Sequence, residues 1–239
     1  GRPMARVHSG VPKPILSPLQ KREQIARRMG AALGYNECVT YSFIDHASAT
    51  LFGGGDDATM LANPIRSEMS HMRPDLLPGL LHAAARNQAR GILDLSLFEV
   101  GHAFQGGEPG EQHLQMAGLL VGRTGPKDVQ GGARAVDIFD AKADAEAVLA
   151  AIGAPAKVQV LRDGPTWFHP GRHGRICLGP KKMLAVFGEL HPRILQEMDV
   201  KGPAVAFTIS PAEIPLPRKT AATRGALEIS DLQAVERDF

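Results

Sequence analysis

Cysteine is nearly absent: Cys38 and Cys177 are the only two in 239 residues. Two thiols so far apart in sequence do not make a disulfide framework, so a reducing, cytoplasmic setting is expected. Aromatic residues are also scarce at 5%, which leaves the core to Leu, Val, Ile and Ala. No stretch approaches the ~20 apolar residues that a membrane-spanning helix requires. Gly1-Arg2-Pro3-Met4 lacks the apolar core of a signal peptide. Neither sign of charge dominates, with 27 Lys and Arg against 25 Asp and Glu and a net of +2. A chain that grips nucleic acid with its whole surface carries a strong basic footprint, so any RNA contact here has to be local. Phosphate-binding and nucleophile motifs are missing too. Gly53-Gly54-Gly55 runs into Asp56-Asp57, which repel a phosphate, and no G-x-S-x-G elbow occurs.

What is present suits one large or two small globular domains, with 44% hydrophobic and 22% charged residues. Residues Gly1 to Leu16 are irregular, with Pro12 and Pro14 opposing a helix. Ser17-Pro18-Leu19-Gln20 is a helix start with a capping box. Ile25, Ala26, Met29 and Leu33 then make one apolar face, ending at Gly34. Alternation of Val39, Tyr41 and Phe43 with Thr40 and Ser42 predicts a strand over Cys38–Ile44. Further helices are predicted from Asp45 to Phe52, over Leu76–Ala89, after Asp137 to Gly153, and at Pro192–Met198. Strands are predicted at Asp94–Phe104, Gln112–Val121, Lys157–Leu161, Arg175–Leu178, Met183–Leu190 and Ala204–Ile209. Gly106–Gly110 and Gly179–Lys182 supply hairpin loops, Gly122–Ala133 is a Gly-rich loop, and Pro211–Phe239 reads as a linker. Helices interspersed among hairpin-connected strands argue for an α+β fold with an antiparallel sheet flanked by helices, not a doubly wound parallel one.

His169, His173 and Cys177 have a spacing that invites a metal, but Pro170, Gly171 and Gly174 break any helix that would align them, and zinc is not expected. Lys21, Arg22, Arg27 and Arg28 fall on the polar side of the first helix, where a solvated face is the simplest reading.

Two segments carry more information. One runs Asn63-Pro64-Ile65-Arg66-Ser67-Glu68-Met69-Ser70-His71-Met72-Arg73-Pro74-Asp75-Leu76-Leu77-Pro78-Gly79-Leu80-Leu81 and continues at Asp94-Leu95-Ser96-Leu97-Phe98-Glu99-Val100-Gly101-His102-Ala103-Phe104. The other is Phe168-His169-Pro170-Gly171-Arg172 with Phe187-Gly188-Glu189-Leu190-His191-Pro192. Together, and in this order, they resemble the synthetase-like domain of the bacterial phenylalanine–tRNA ligase β-subunit family, from about Arg6 to Ile209. Ala5–His8 resembles the exit from that family's preceding helical-winged domain, and Ser230–Phe239 the start of its anticodon-binding domain. The resemblance divides the chain into a tail at 1–16, a class II synthetase-like domain at 17–210, and a linker with the start of a truncated domain at 211–239.

It also implies a class II aminoacyl-tRNA synthetase-like fold that does not catalyse. Active members clamp the α-phosphate with arginines, and losing one preorganised donor costs about 10²–10³ in rate. Where one arginine is expected this chain has Gln105, and Ala204–Ser210 supplies neither the glycines nor the arginine of the other. Arg73, Glu99 and Gln105 are thus positions of a vestigial site, Arg73 with a structural role as an alternative. No catalytic, cofactor-binding or metal residue is assigned, and ATP and Mg²⁺ are expected only for the whole enzyme. The implied partner is the catalytic α-subunit, in an (αβ)₂ assembly that charges tRNA(Phe). Interface candidates are Arg22, Ile25, Arg28, Met29 and Leu33, and the isolated chain is a candidate homodimer. The competing reading is a divergent class II synthetase paralogue with its own small-molecule activity.

Overall fold

The computed structural model describes residues 15–125 and 132–216. Nine strands and five α-helices follow one another: α1 (Pro18–Ala32), β1 (Asn36–Glu37), β2 (Phe43–Ile44), α2 (His46–Leu51), β3 (His71–Met72), α3 (Leu77–Gln88), β4 (Leu95–Phe104), β5 (Gln112–Val121), α4 (Ile138–Ala151), β6 (Gln159–Leu161), β7 (Phe168–Leu178), β8 (Lys182–Leu190), α5 (Pro192–Glu197) and β9 (Ala204–Ile209). Seven strands form one sheet in the order β1-β4-β5-β9-β8-β7-β6, and β2 pairs with β3 apart from it. Pairing is antiparallel throughout the large sheet except at its edge, where β1 lies parallel to β4.

Local chemistry accounts for the helix starts. Ser17 Oγ accepts from Gln20 N at 3.2 Å while Gln20 Oε1 accepts from Ser17 N at 2.9 Å, which closes the capping box of α1. Asp45 accepts from Ser48 N at 2.8 Å to start α2, and Asp137 accepts from Phe139 N at 2.7 Å to start α4. The helix start at α3 is different, because Leu76 at its N-cap has no capping side chain. Asp75 accepts from Leu77 N at 2.8 Å, and Gln115 reaches across from β5 to accept from Leu76 N at 2.9 Å.

The sheet separates two apolar cores. Val205, Phe207 and Ile209 of β9 belong to the core shared with Ala141, Ala145, Val148 and Leu149 of α4 and Ala26 of α1. Ala204 and Ala206 face the other way, into the core shared with Leu76, Leu77, Leu80 and Leu81 beside α3. Period-two alternation therefore assigns the large side chains of β9 to one face and the small ones to the other. The four leucines are fully buried, which at roughly 1.5–3 kcal/mol for each such side chain anchors α3 firmly on the sheet.

Several elements differ from the sequence expectation. Cys38–Ile44 is not one strand, since only Phe43–Ile44 has strand pairing within it. Val39 and Tyr41 are 89% and 73% exposed, so the apolar alternates point outwards. β7 begins at Phe168, not Arg175, and runs through Pro170 and Gly171. A register shift between Phe168 and His173 accommodates them. Pro211 and Ile214 are buried, so the expected linker still packs on the domain as far as Ile214. The resemblances at Ala5–His8 and Ser230–Phe239 lie outside the described residues. Among the described residues no helix is long and apolar enough to cross a membrane.

Arg22 explains the packing of residues 211–215. It is buried, not solvated on a polar helix face. Its guanidinium donates to the carbonyls of Pro211 at 3.1 Å, Ile214 at 2.7 Å and Pro215 at 2.8 Å. Replacing it strands three carbonyls, each an unmet group that costs about 1–3 kcal/mol when buried. Arg22→Leu is expected to lower the midpoint of thermal unfolding by several degrees, and Arg22→Lys to recover only part of it, because an ammonium lacks the planar fork. Circular dichroism melts of the two variants check this.

Candidate functional site

Of the three positions expected to form a vestigial site, Arg73 and Glu99 meet on the α3 side of the sheet. Arg73 Nη1 lies 2.7 Å from Glu99 Oε1, with both side chains 4% exposed. Thr40 completes the group. Its hydroxyl donates to Glu99 Oε2 at 2.7 Å and accepts from Arg73 Nη1 at 3.0 Å. The Arg73 Nε donates to the carbonyl of His102 at 2.9 Å. The backbone joins in as well, with Arg73 N donating to Ser42 O and Phe104 N to Arg73 O, both at 2.9 Å.

Two glycines make the approach possible. A Cβ on Gly101 would sit 2.7 Å from Arg73 Nη2, and one on Gly79 would sit 2.2 Å from Thr40 Oγ1. The guanidinium thus lies across a bare stretch of β4, and α3 presses a bare turn against Thr40. A charge pair this deep is costly to desolvate, and removing one partner leaves the other unpaired. Arg73 is accordingly held by Glu99, Thr40 and the His102 carbonyl.

Asp75 extends the network. Its Oδ2 accepts from Gln115 Nε2 at 2.9 Å in addition to the bond from Leu77 N. Burial pushes its carboxyl above the ordinary carboxylate range, against these hydrogen bonds and the nearby charge of Arg73. Gln105, by contrast, is exposed at the end of β4. It lines an open cavity of about 560 Å³ together with Asp75, Gln115, Trp167, Thr208 and Ser210. Lysines are the only cationic lining residues, and Lys182 Nζ is 3.6 Å from Glu213. Thr40, Asp75 and Gln115 join this network although no sequence spacing links them to it. His169 and His173 sit on β7, where His173 Nδ1 is 2.7 Å from the carbonyl of His169 and Cys177 is buried. No group of three or more His, Cys, Asp or Glu side chains suited to a metal occurs among the described residues.

The interface candidates divide. Arg22 is buried, and Met29 and Leu33 are partly buried against the α4-side core. That inward packing leaves Ile25, at 38% exposure, and Arg28 facing outwards. With Lys21 and Ala32 they make an exposed stripe at helical spacing.

Solved structures with a similar fold include pyrrolysyl-tRNA synthetases of Desulfitobacterium hafniense. One superposes with a TM-score of 0.61 at 14% identity, covering 82% of this chain and 64% of that one. A second gives 0.59 at 16% identity, covering 81% and 66%. The fold is thus that of a class II aminoacyl-tRNA synthetase domain. The family model described as the phenylalanyl tRNA synthetase beta chain CLM domain matches residues 4–210. The phenylalanine–tRNA ligase beta subunit of Ruegeria pomeroyi is 75% identical over 239 residues, and that of Cereibacter sphaeroides 67%. Both alignments cover 100% of this chain but 30% of the relative's length. This chain belongs to the phenylalanyl-tRNA synthetase beta chain CLM domain family.

Arg73→Met is expected to destabilise the domain by about 3–5 kcal/mol, since it leaves the Glu99 carboxylate buried and alone. The double variant Arg73→Met, Glu99→Leu is expected to recover most of that loss. Urea unfolding of the single and double variants measures the coupling.

Proposed function

We propose that this domain performs no chemistry and serves as the surface on which a catalytic α-subunit is mounted. The whole enzyme would be an (αβ)₂ phenylalanine–tRNA ligase of the cytoplasm that joins phenylalanine to tRNA(Phe) with ATP and Mg²⁺. The observation that carries this reading is the inverted segment between β1 and β2. Thr40 turns inwards to the buried Arg73–Glu99 pair, so Val39 and Tyr41 are driven out to 89% and 73% exposure. Large apolar groups held outwards by a polar anchor need a partner to cover them. They line a cleft of about 530 Å³ that also holds Phe43, Arg66, Glu68 and Arg86. That mixture of apolar groups with both signs of charge suits a protein surface. The Ile25 and Arg28 stripe of α1 is a second element available to the same partner.

The donor set supports the non-catalytic half of the reading. Arg73 is committed to Glu99, Gln105 carries no charge, and Ser210 follows β9 where an active enzyme needs an arginine. These residues do not fit ATP with magnesium, and those cofactors belong to the catalytic partner. Equilibrium dialysis of this chain against ATP is expected to retain none at millimolar nucleotide.

Sedimentation with a cognate α-subunit tests the scaffold. Wild-type chain is expected to form a mixed complex of defined stoichiometry and, without α, to self-associate through its uncovered apolar segment. Tyr41→Asp is expected to abolish the mixed complex while leaving the melting temperature within about 2 °C, because Tyr41 is exposed. Met29→Glu is expected instead to destabilise the fold by about 2 kcal/mol or more, as a charge forced against the core. Intact assembly of Tyr41→Asp would overturn the placement of the contact.

A further inference from the structure

The molecule has a second apolar cleft, and its charge is of one kind. It lies between the first turn of α4 and the β6–β7 edge of the sheet, with a volume of about 770 Å³. Ile138, Phe139, Val160 and Phe187 supply its apolar surface, and Lys142, Arg162, Arg172 and His173 its polar one. No Asp or Glu is among its lining residues. The cleft near Tyr41 mixes acids with bases, including Asp45 and Glu68 beside Arg66 and Arg86. The two clefts therefore call for partners of different chemistry.

Phe139 stands out at 72% exposure on the first turn of α4. An aromatic ring held in water beside cations is the arrangement on which a nucleobase stacks. Arg162 is exposed and enters no ion pair among the described residues. Arg172 is held by Glu189, whose carboxylate accepts from Nε at 2.5 Å and from Nη2 at 2.8 Å. That pairing orients the guanidinium and leaves Nη1 without a partner among the described residues. Lys142 reaches Glu146 at 3.4 Å in a half-exposed pair, a contact of the kind that a phosphate readily displaces. β6 is the outermost strand of the sheet, so no further strand covers this edge among the described residues.

We propose that this cleft is an RNA contact, taking one or two unpaired or splayed nucleotides of the tRNA with a base on Phe139 and phosphate oxygens on Arg162 and Arg172. The inference rests on the reading of the chain as part of a tRNA ligase, which supplies the polyanion, while the cleft itself supplies the placement. It lies outside both the Tyr41 cleft and the vestigial site. It also reconciles a local RNA contact with a net charge of only +2, because Lys142, Arg162 and Arg172 meet at one cleft, with Glu146 and Glu189 partnering two of them from outside its lining.

The test uses the full-length β-subunit assembled with its catalytic subunit, carrying Phe139→Ala or Arg162→Glu. Affinity for tRNA(Phe) is measured by fluorescence anisotropy across a salt series, with sedimentation and tRNA-independent phenylalanine activation as controls. Phe139→Ala is expected to weaken tRNA binding about tenfold, as loss of one stacking platform does. Arg162→Glu is expected to weaken it by about tenfold and to flatten the plot of log affinity against log salt by about one unit. Both controls stay at wild-type values, since both residues are exposed. Unchanged affinity and slope in both variants overturn the proposal. So does wild-type tRNA affinity combined with a polyglutamate peptide that binds the wild type and not Arg162→Glu, which assigns the cleft to an acidic protein segment. Wild-type subunits that fail to co-sediment sink the scaffold reading instead. The salt series is then run on the β-subunit alone, so the two failures remain distinct.

Discussion

Everything on the α3 side of the sheet depends on one sealed charge pair. Arg73 and Glu99 meet at 2.7 Å with 4% of each side chain exposed. Such a pair offsets its desolvation only with good geometry and further hydrogen bonds. Thr40 and the His102 carbonyl supply three of them, and each bond constrains another part of the chain. Gly101 must be bare for the guanidinium to cross β4, and Gly79 must be bare for α3 to close over Thr40. Pro74 and Asp75 follow directly from Arg73, so the start of α3 is set by the same anchor and secured to β5 through Gln115.

The same constraint shapes the outer surface. Turning Thr40 inwards turns its neighbours Val39 and Tyr41 outwards, because successive side chains of an extended segment face opposite ways. The buried polar group thus creates the exposed apolar one. The volume beside the buried pair is filled by leucines of α3, and the open remainder near Gln105 holds lysines without an arginine. A sheet held by backbone hydrogen bonds keeps its topology when side chains change, which is why the fold is shared with synthetases at 14% identity. Two clefts of contrasting lining remain available, one lined by both signs of charge and one lined by cations without a carboxylate.

Much of the fold was legible because its signals are local. Ser17 with Gln20, and Asp137, announced α1 and α4, and both caps form; Asp140 completes the box at α4. Gly106–Gly110 and Gly179–Lys182 marked hairpins that join β4 to β5 and β7 to β8. Ala204–Ile209 read as a strand, and the structure buries it on both faces. The motifs around Arg73, Glu99 and Phe168 identified the family. The pairing of Arg73 with Glu99 was not legible, since the two are 26 residues apart and no periodicity links them.

The sequence by itself determined the class of fold and the family, because both are written in residue types and short spacings. Tertiary structure alone decided which way the alternating segment at 39–43 faces. Period two groups Val39 with Tyr41 but does not say whether their shared face is the core, and here a buried ion pair claims the polar face. It also decided the fate of Arg22. A surface arginine and a buried clasp look identical in a helical pattern, and the carbonyl that accepts from Arg22 at Pro211 lies 189 residues further along the chain. Contacts at that separation exist only once the sheet between them has formed.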